Sequence, residues 1–94
     1  MNDQSAARIT NAIKNLQDIA TDMMDVPAIS SLLEAAEIDL AWANWDEPDE
    51  NVKQAIGEVQ VAQNLINDED VLDVDQRKEL AELIESAISF ARAA

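Results

Sequence analysis

The 94-residue chain contains no cysteine and no histidine. Without cysteine there is no disulfide framework, and thiol usage says nothing about compartment. Without either residue the usual structural zinc sets are excluded. Any catalytic site would have to be built from carboxylates, from serine with lysine, or on a metal. One glycine, Gly57, and two prolines, Pro27 and Pro48, are too few for a sheet protein rich in tight turns. Aromatics are scarce as well: Trp42, Trp45 and Phe90 are the full set. No apolar run approaches the roughly 18–20 residues of a membrane span, and no cleavable signal pattern opens the chain. The expected setting is soluble and cytoplasmic, in a bacterium or in the host cell of a phage.

Bases are few too, with 6 Lys and Arg against 20 Asp and Glu, for a net charge of −14. Solubility alone does not ask for so much, since small designed domains aim for a magnitude of about 2–8. Such a chain is repelled by nucleic acid and anionic lipid and attracted to basic surfaces. Disorder is disfavoured all the same. The chain is 48% hydrophobic, and its Ile, Leu and Val recur at regular spacing. Much of the apolar content is alanine, which predicts closely approaching helices around a thin core.

That spacing is helical throughout. A first helix over about Ser5–Met24 has Ile9, Ile13, Leu16, Ala20 and Met23 as its stripe, widened by Ala12 and Ile19, with Asp3 or Ser5 as its cap. Asn11, Asn15, Asp18 and Asp22 fill its other face. Asp25-Val26-Pro27 breaks the pattern, because proline disfavours helix at Val26 and suits the first turn of the next helix. The second helix runs to about Trp45 with Ile29, Leu32, Leu33, Ala36, Leu40 and Ala43 facing inward. Ser31 and Glu34, at capping-box spacing, allow a later start. After the acidic break Asp46 to Glu50, a third helix over about Asn51–Asn67 presents Val52, Ala55, Ile56, Val59, Ala62 and Ile66, together with Gln63. Gly57, Val61 and Leu65 form a separate line on its far side. After a break from Asp68 to Val74, Asp73 and Gln76 form a capping-box pair for the fourth helix. Its stripe is Leu80, Leu83, Ile84, Ala87, Ile88 and Ala91, joined by Phe90, and Arg92 suits its C-terminal dipole.

Short connections between four such helices predict an all-α fold, a single acidic domain over residues 1–94 arranged as an antiparallel up-down four-helix bundle. An irregular helical cluster, or two hairpins that complete their core by dimerising, are the alternatives.

Asp68 to Glu79 lies between two helices as a calcium loop would, with Asp68, Asp70 and Glu79 at ligand positions one, three and twelve. The pattern then fails at Leu72, where a ligand belongs, at Asp73, where the turn needs glycine, and at Asp75, where an apolar residue is usual. Five acids in the eight residues Asp68 to Asp75 make three matches unsurprising, and the segment reads as a solvated acidic loop. Glu34, Glu37, Glu58, Glu82 and Glu85 all map to outer faces. No carboxylate sits in an apolar stripe, where burial would raise its pKa for acid catalysis. No phosphate-cradling glycine loop is present. Neither an enzyme, a cofactor nor a bound metal is expected.

Two features carry the functional reading. In an up-down bundle the first and third connections share one end, gathering Asp22, Asp25, Asp68, Glu69, Asp70, Asp73 and Asp75 against Arg77 and Lys78. The other end holds Asp46, Glu47, Asp49 and Glu50. Loops tolerate charge, but a basic partner would find both ends attractive. The second feature is apolar residues beyond one buried face, Ile38, Trp42 and Trp45 above all. Trp42 reads as core, with the second helix covered on both sides, and Trp45 as an interface anchor.

The expected function is an inhibitor or decoy whose carboxylates stand where phosphates would, on the nucleic-acid-binding surface of a basic protein. Its partner-binding residues are Asp46, Glu47, Asp49, Glu50, Asp68, Glu69, Asp70, Asp73, Asp75 and Trp45. Phage proteins that block bacterial defence nucleases are often small and acidic too, a likeness of composition alone. The rival is a structural adaptor or chaperone-like protein that works through apolar helix faces, often as a homodimer. Neither reading involves direct nucleic-acid or membrane binding.

Overall fold

A computed structural model describes residues 2–21 and 25–94, with Thr21 described for its backbone only. Four helices account for nearly all of it: α1 (Asp3–Thr21), α2 (Val26–Asp46), α3 (Glu50–Ile66) and α4 (Val74–Ala93). No strand occurs among the described residues. Each helix packs on the next in sequence, and α4 closes back on α1, while the diagonal pairs α1/α3 and α2/α4 do not meet. The result is the up-down four-helix ring expected from the short connections. At 40 × 21 × 18 Å it is a rod about as long as a 20-residue helix of roughly 30 Å plus its end loops.

The core lies along the axis of the ring. Ile9, Ala12, Leu16 and Ile19 supply it from α1, and Ile29, Leu33, Ala36, Leu40 and Ala43 from α2. Val52, Ala55, Val59, Ala62 and Ile66 come from α3, and Leu80, Ile84, Ala87, Ile88 and Ala91 from α4. The alanines let the helix backbones approach closely, and the larger side chains fill the space between them. Leu32, Ile56, Leu83 and Phe90 flank the core half-buried.

Three details differ from the sequence reading. In α1 the stripe centres on Ile9, Ala12, Leu16 and Ile19; Ile13 is half-buried and Ala20 exposed. A 19-residue helix has two nearly equivalent three-four registers, and contact with both α2 and α4 selects the wider one. Met23 and the end of the helix expected near Met24 lie outside the described residues. In α3, Leu65 packs against the core and does not share an exposed line with Val61. Leu72, in the α3–α4 connection, is only 6% exposed and belongs to the core. It pins the loop down, which explains why an apolar residue stands where a calcium loop would place a ligand.

Every connection ends in an aspartate cap. Asp25 accepts from the Ala28 N–H at 3.1 Å and starts α2 at Val26, with Pro27 in the first turn. This overturns the later start at Ser31. Asp49 accepts from the N–H groups of Asn51 and Val52. Asp73 accepts from Gln76 N at 2.7 Å, while the Gln76 side chain accepts from Asp73 N, closing a capping box. For α1 the cap is Asn2, whose Oδ1 accepts from the Ser5 N–H at 2.8 Å; neither Asp3 nor Ser5 plays that part. Asp68, just past α3, adopts a left-handed φ of 65°, which short acidic side chains tolerate at a helix end. Asp73→Ala is expected to cost about 1 kcal/mol, and Glu69→Ala, on the same loop, less than about 0.5 kcal/mol. Urea denaturation of both variants checks this, and equal costs would deny the cap its role.

Candidate partner-binding surface

The caps change what the acidic ends are for. Of the ten residues expected to bind a partner, Asp49 and Asp73 are tied to helix starts. Asp46 is tied to α1: its Oδ2 accepts from Ser5 Oγ at 2.9 Å and Asn2 Nδ2 at 2.8 Å. Glu47 accepts from the backbone N–H of Asn2. The end holding Asp46 to Glu50 is therefore largely a joint. Asp49 N donates to Asn44 Oδ1, and Asn51 donates to the carbonyl of Ala93, fastening the start of α3 to the end of α4. Glu50 remains an exposed carboxylate there.

Ser5 explains part of this geometry. It is a polar residue buried to 1% exposure, and its hydroxyl is satisfied by Asp46 across the α1–α2 interface. The hydrogen bonds from Asn2 and Ser5 favour the ionised form and hold the Asp46 carboxyl below the usual range. A lowered pKa contributes stability that is complete above the unfolded value of about 3.9 and is lost as pH falls through the folded value. Asp46→Asn is accordingly expected to lower the thermal midpoint at neutral pH, by an amount that shrinks as pH falls below about 4. Melting curves of both proteins against pH test this; a difference independent of pH would remove Asp46 from the acid limb.

The other end keeps its carboxylates for solvent. Asp68, Glu69, Asp70 and Asp75 are all exposed. Asp25 and Asp70 share a cleft with Arg77, so the first and third connections do meet as expected. Asp22, assigned to the same cluster, lies outside the described residues. A second groove runs between the start of α2 and the end of α3, where Asp68, Glu69 and Asp70 face Glu34 and Glu37, and its lining includes no lysine or arginine. Glu34 and Glu37, expected on an outer face, are not among the expected partner-binding residues. Their position four and seven residues after Ser30, on the α3 side of α2, becomes visible only when α3 is beside it. Crowded like charges oppose folding, so the thermal midpoint is expected to rise between about 0.01 and 1 M salt. A midpoint that falls would mean that attractive pairs such as Arg8–Asp39, at 3.3 Å, outweigh the clusters.

The outer face of α2 is the other surface. α2 carries apolar residues on two sides, so one set faces outward. Ile38 is 50% exposed, Trp42 51% and Trp45 76%. Trp42, expected in the core, is therefore a surface residue. A ring of four helices has no central member, so among the described residues no helix covers the outside of α2. Trp42 instead lies under the guanidinium of Arg8, 5.1 Å from its centroid, and meets Trp45 edge to face at 5.7 Å and 84°. Trp45, expected as an interface anchor, is the more exposed of the two.

Among the described residues no group of three or more acidic, His or Cys side chains is arranged to hold a metal ion, and no helix is long and apolar enough to cross a membrane. Comparison with family models, with curated proteins and with solved structures finds no match.

Proposed function

We propose that the chain is a non-catalytic protein-binding module, an inhibitor or decoy that occupies the basic nucleic-acid-binding surface of a partner protein. The observation that carries this reading is the groove between α2 and α3, whose lining includes five carboxylates and no basic residue. None of the five caps a helix, and their mutual repulsion is a cost that a basic partner would relieve. Carboxylates so spaced can pair with the arginines and lysines that otherwise hold phosphates. The partner is then a basic, nucleic-acid-binding protein met in the cytoplasm of a bacterial or phage-infected cell.

The exposed Ile38, Trp42 and Trp45 favour a second reading, an adaptor that binds through apolar contact. Salt and competition separate the two. A partner captured from a host lysate at low salt is to be challenged with duplex DNA and with RNA. Displacement by nucleic acid and steep weakening by salt are expected of the decoy. A partner that holds on in high salt and ignores nucleic acid fits the adaptor instead.

A further inference from the structure

At the joint between the start of α1 and the end of α2, Ser5, Arg8, Trp42, Trp45 and Asp46 line one cleft. The protein seats a cation of its own there. The Arg8 guanidinium lies over the Trp42 ring, 5.1 Å from its centroid, and pairs with Asp39 at 3.3 Å. An indole face and a carboxylate one turn before it on α2 thus together hold a guanidinium on this surface. Trp45 lies one turn beyond Trp42 on α2, and both it and its chain neighbour Asp46 are exposed at the same cleft, an indole and a carboxylate with, among the described residues, no cation of the chain's own paired to them. Trp45 is 76% exposed, and its ring stands at 84° to that of Trp42. The Asp46 carboxylate is held by Ser5 and Asn2 through Oδ2, so neither of those bonds uses Oδ1.

We infer that Trp45 and Asp46 form a receiving site for an arginine side chain of a basic partner protein, the guanidinium stacking on the indole and pairing with Asp46 Oδ1. This rests on the proposed function and specifies the side chain by which the partner is read. Arginine is favoured over lysine because its planar, weakly hydrated cation can stack and pair at once, whereas an ammonium keeps its water. Charge complementarity selects a basic protein over a second copy of this chain, since two molecules of −14 each would have to bring acidic rims together. The hydrogen bonds from Ser5 and Asn2 fix the carboxylate before binding, so little ordering is left to the encounter.

The probes are three synthetic peptides of one length, alternating alanine with arginine, lysine or glutamine, titrated into the full isotope-labelled chain at low salt. The two indole N–H resonances report on Trp42 and Trp45 separately. The arginine peptide is expected to shift Trp45 saturably and to bind about two- to fivefold more tightly than the lysine peptide. Trp45→Ala and Asp46→Asn are each expected to abolish that preference while leaving charge-driven binding of both peptides. Trp45 is too exposed for its loss to unfold the bundle, and an unchanged amide spectrum confirms that. Equal affinity for the arginine and lysine peptides, with shifts confined to the Asp68–Asp70 groove, overturns the arginine site and leaves the decoy reading standing. Binding of neither basic peptide overturns both. A Trp45 shift that follows the protein's own concentration without peptide makes a second copy the occupant and overturns the inference.

Discussion

Leu33→Ala is expected to destabilise the protein by about 2–5 kcal/mol, and Ile84→Ala by a similar amount. Leu33 is fully buried and Ile84 1% exposed, on helices that face each other across the axis of the ring. The cost has two parts, the lost transfer of the side chain from water and the cavity left behind. A thin core rich in alanine cannot collapse to refill that cavity, because its backbones are already close. For a domain of this size total stability is about 5–14 kcal/mol, so either change consumes a large share of it. Ile38→Ala is the control: Ile38 is equally apolar but 50% exposed on the outside of α2, and its loss is expected to cost well under 1 kcal/mol. Chemical denaturation of the three variants decides the point. If Leu33→Ala and Ile38→Ala cost the same, the inward face of α2 has been assigned wrongly.

The second large effect concerns binding. Asp68→Lys combined with Asp70→Lys turns part of the α2–α3 groove basic, and is expected to weaken partner binding far more than Asp18→Lys on the exposed side of α1. Complementary charge mainly sets encounter, so the loss is expected first in the association rate at low salt and is expected to fade as salt rises. Trp45→Ala acts differently. An aromatic anchor at an interface is worth about 2 kcal/mol or more, roughly a thirtyfold loss of affinity, and that loss falls on dissociation and persists in salt. Both effects together are the expected result for a basic partner anchored at Trp45. If the aspartates prove indifferent and Trp45 alone controls binding, the decoy reading fails and the adaptor takes its place. Binding rates measured across a salt series separate the outcomes.

The periodicity that predicts four helices is a local property, and so is nearly everything that starts and stops them. Asp25 with Pro27, Asp49, and Asp73 with Gln76 act within three residues of themselves, and the structure uses each as a cap. At Asp73 the capping role is legible from the spacing to Gln76 alone. At Asp49 it is hidden inside a run of four acids in five residues, where charge dominates the pattern. The role of Asp46 is not legible at all, since its partners Ser5 and Asn2 are more than forty residues away. No spacing rule reaches that far.

Secondary structure, the inward faces of α2, α3 and α4 apart from Trp42 and Leu65, and the excess of negative charge are legible in the chain alone. These follow from helical geometry repeating every 3.6 residues and from the summed ionisation of side chains. Tertiary structure alone decided which apolar residues were left over. Trp42 and Ile38 are exposed because four helices in a ring give each one inner side, and α2 carries apolar residues on two. It also decided which acids are tied into the fold and which are left to solvent. Asp49 and Asp73 are tied to caps and Asp46 is held through Oδ2 at the α1–α2 joint, while Asp68, Glu69 and Asp70 join Glu34 and Glu37 only when α3 lies beside α2. Charge is fixed residue by residue, but an electrostatic surface depends on which residues the packing brings together.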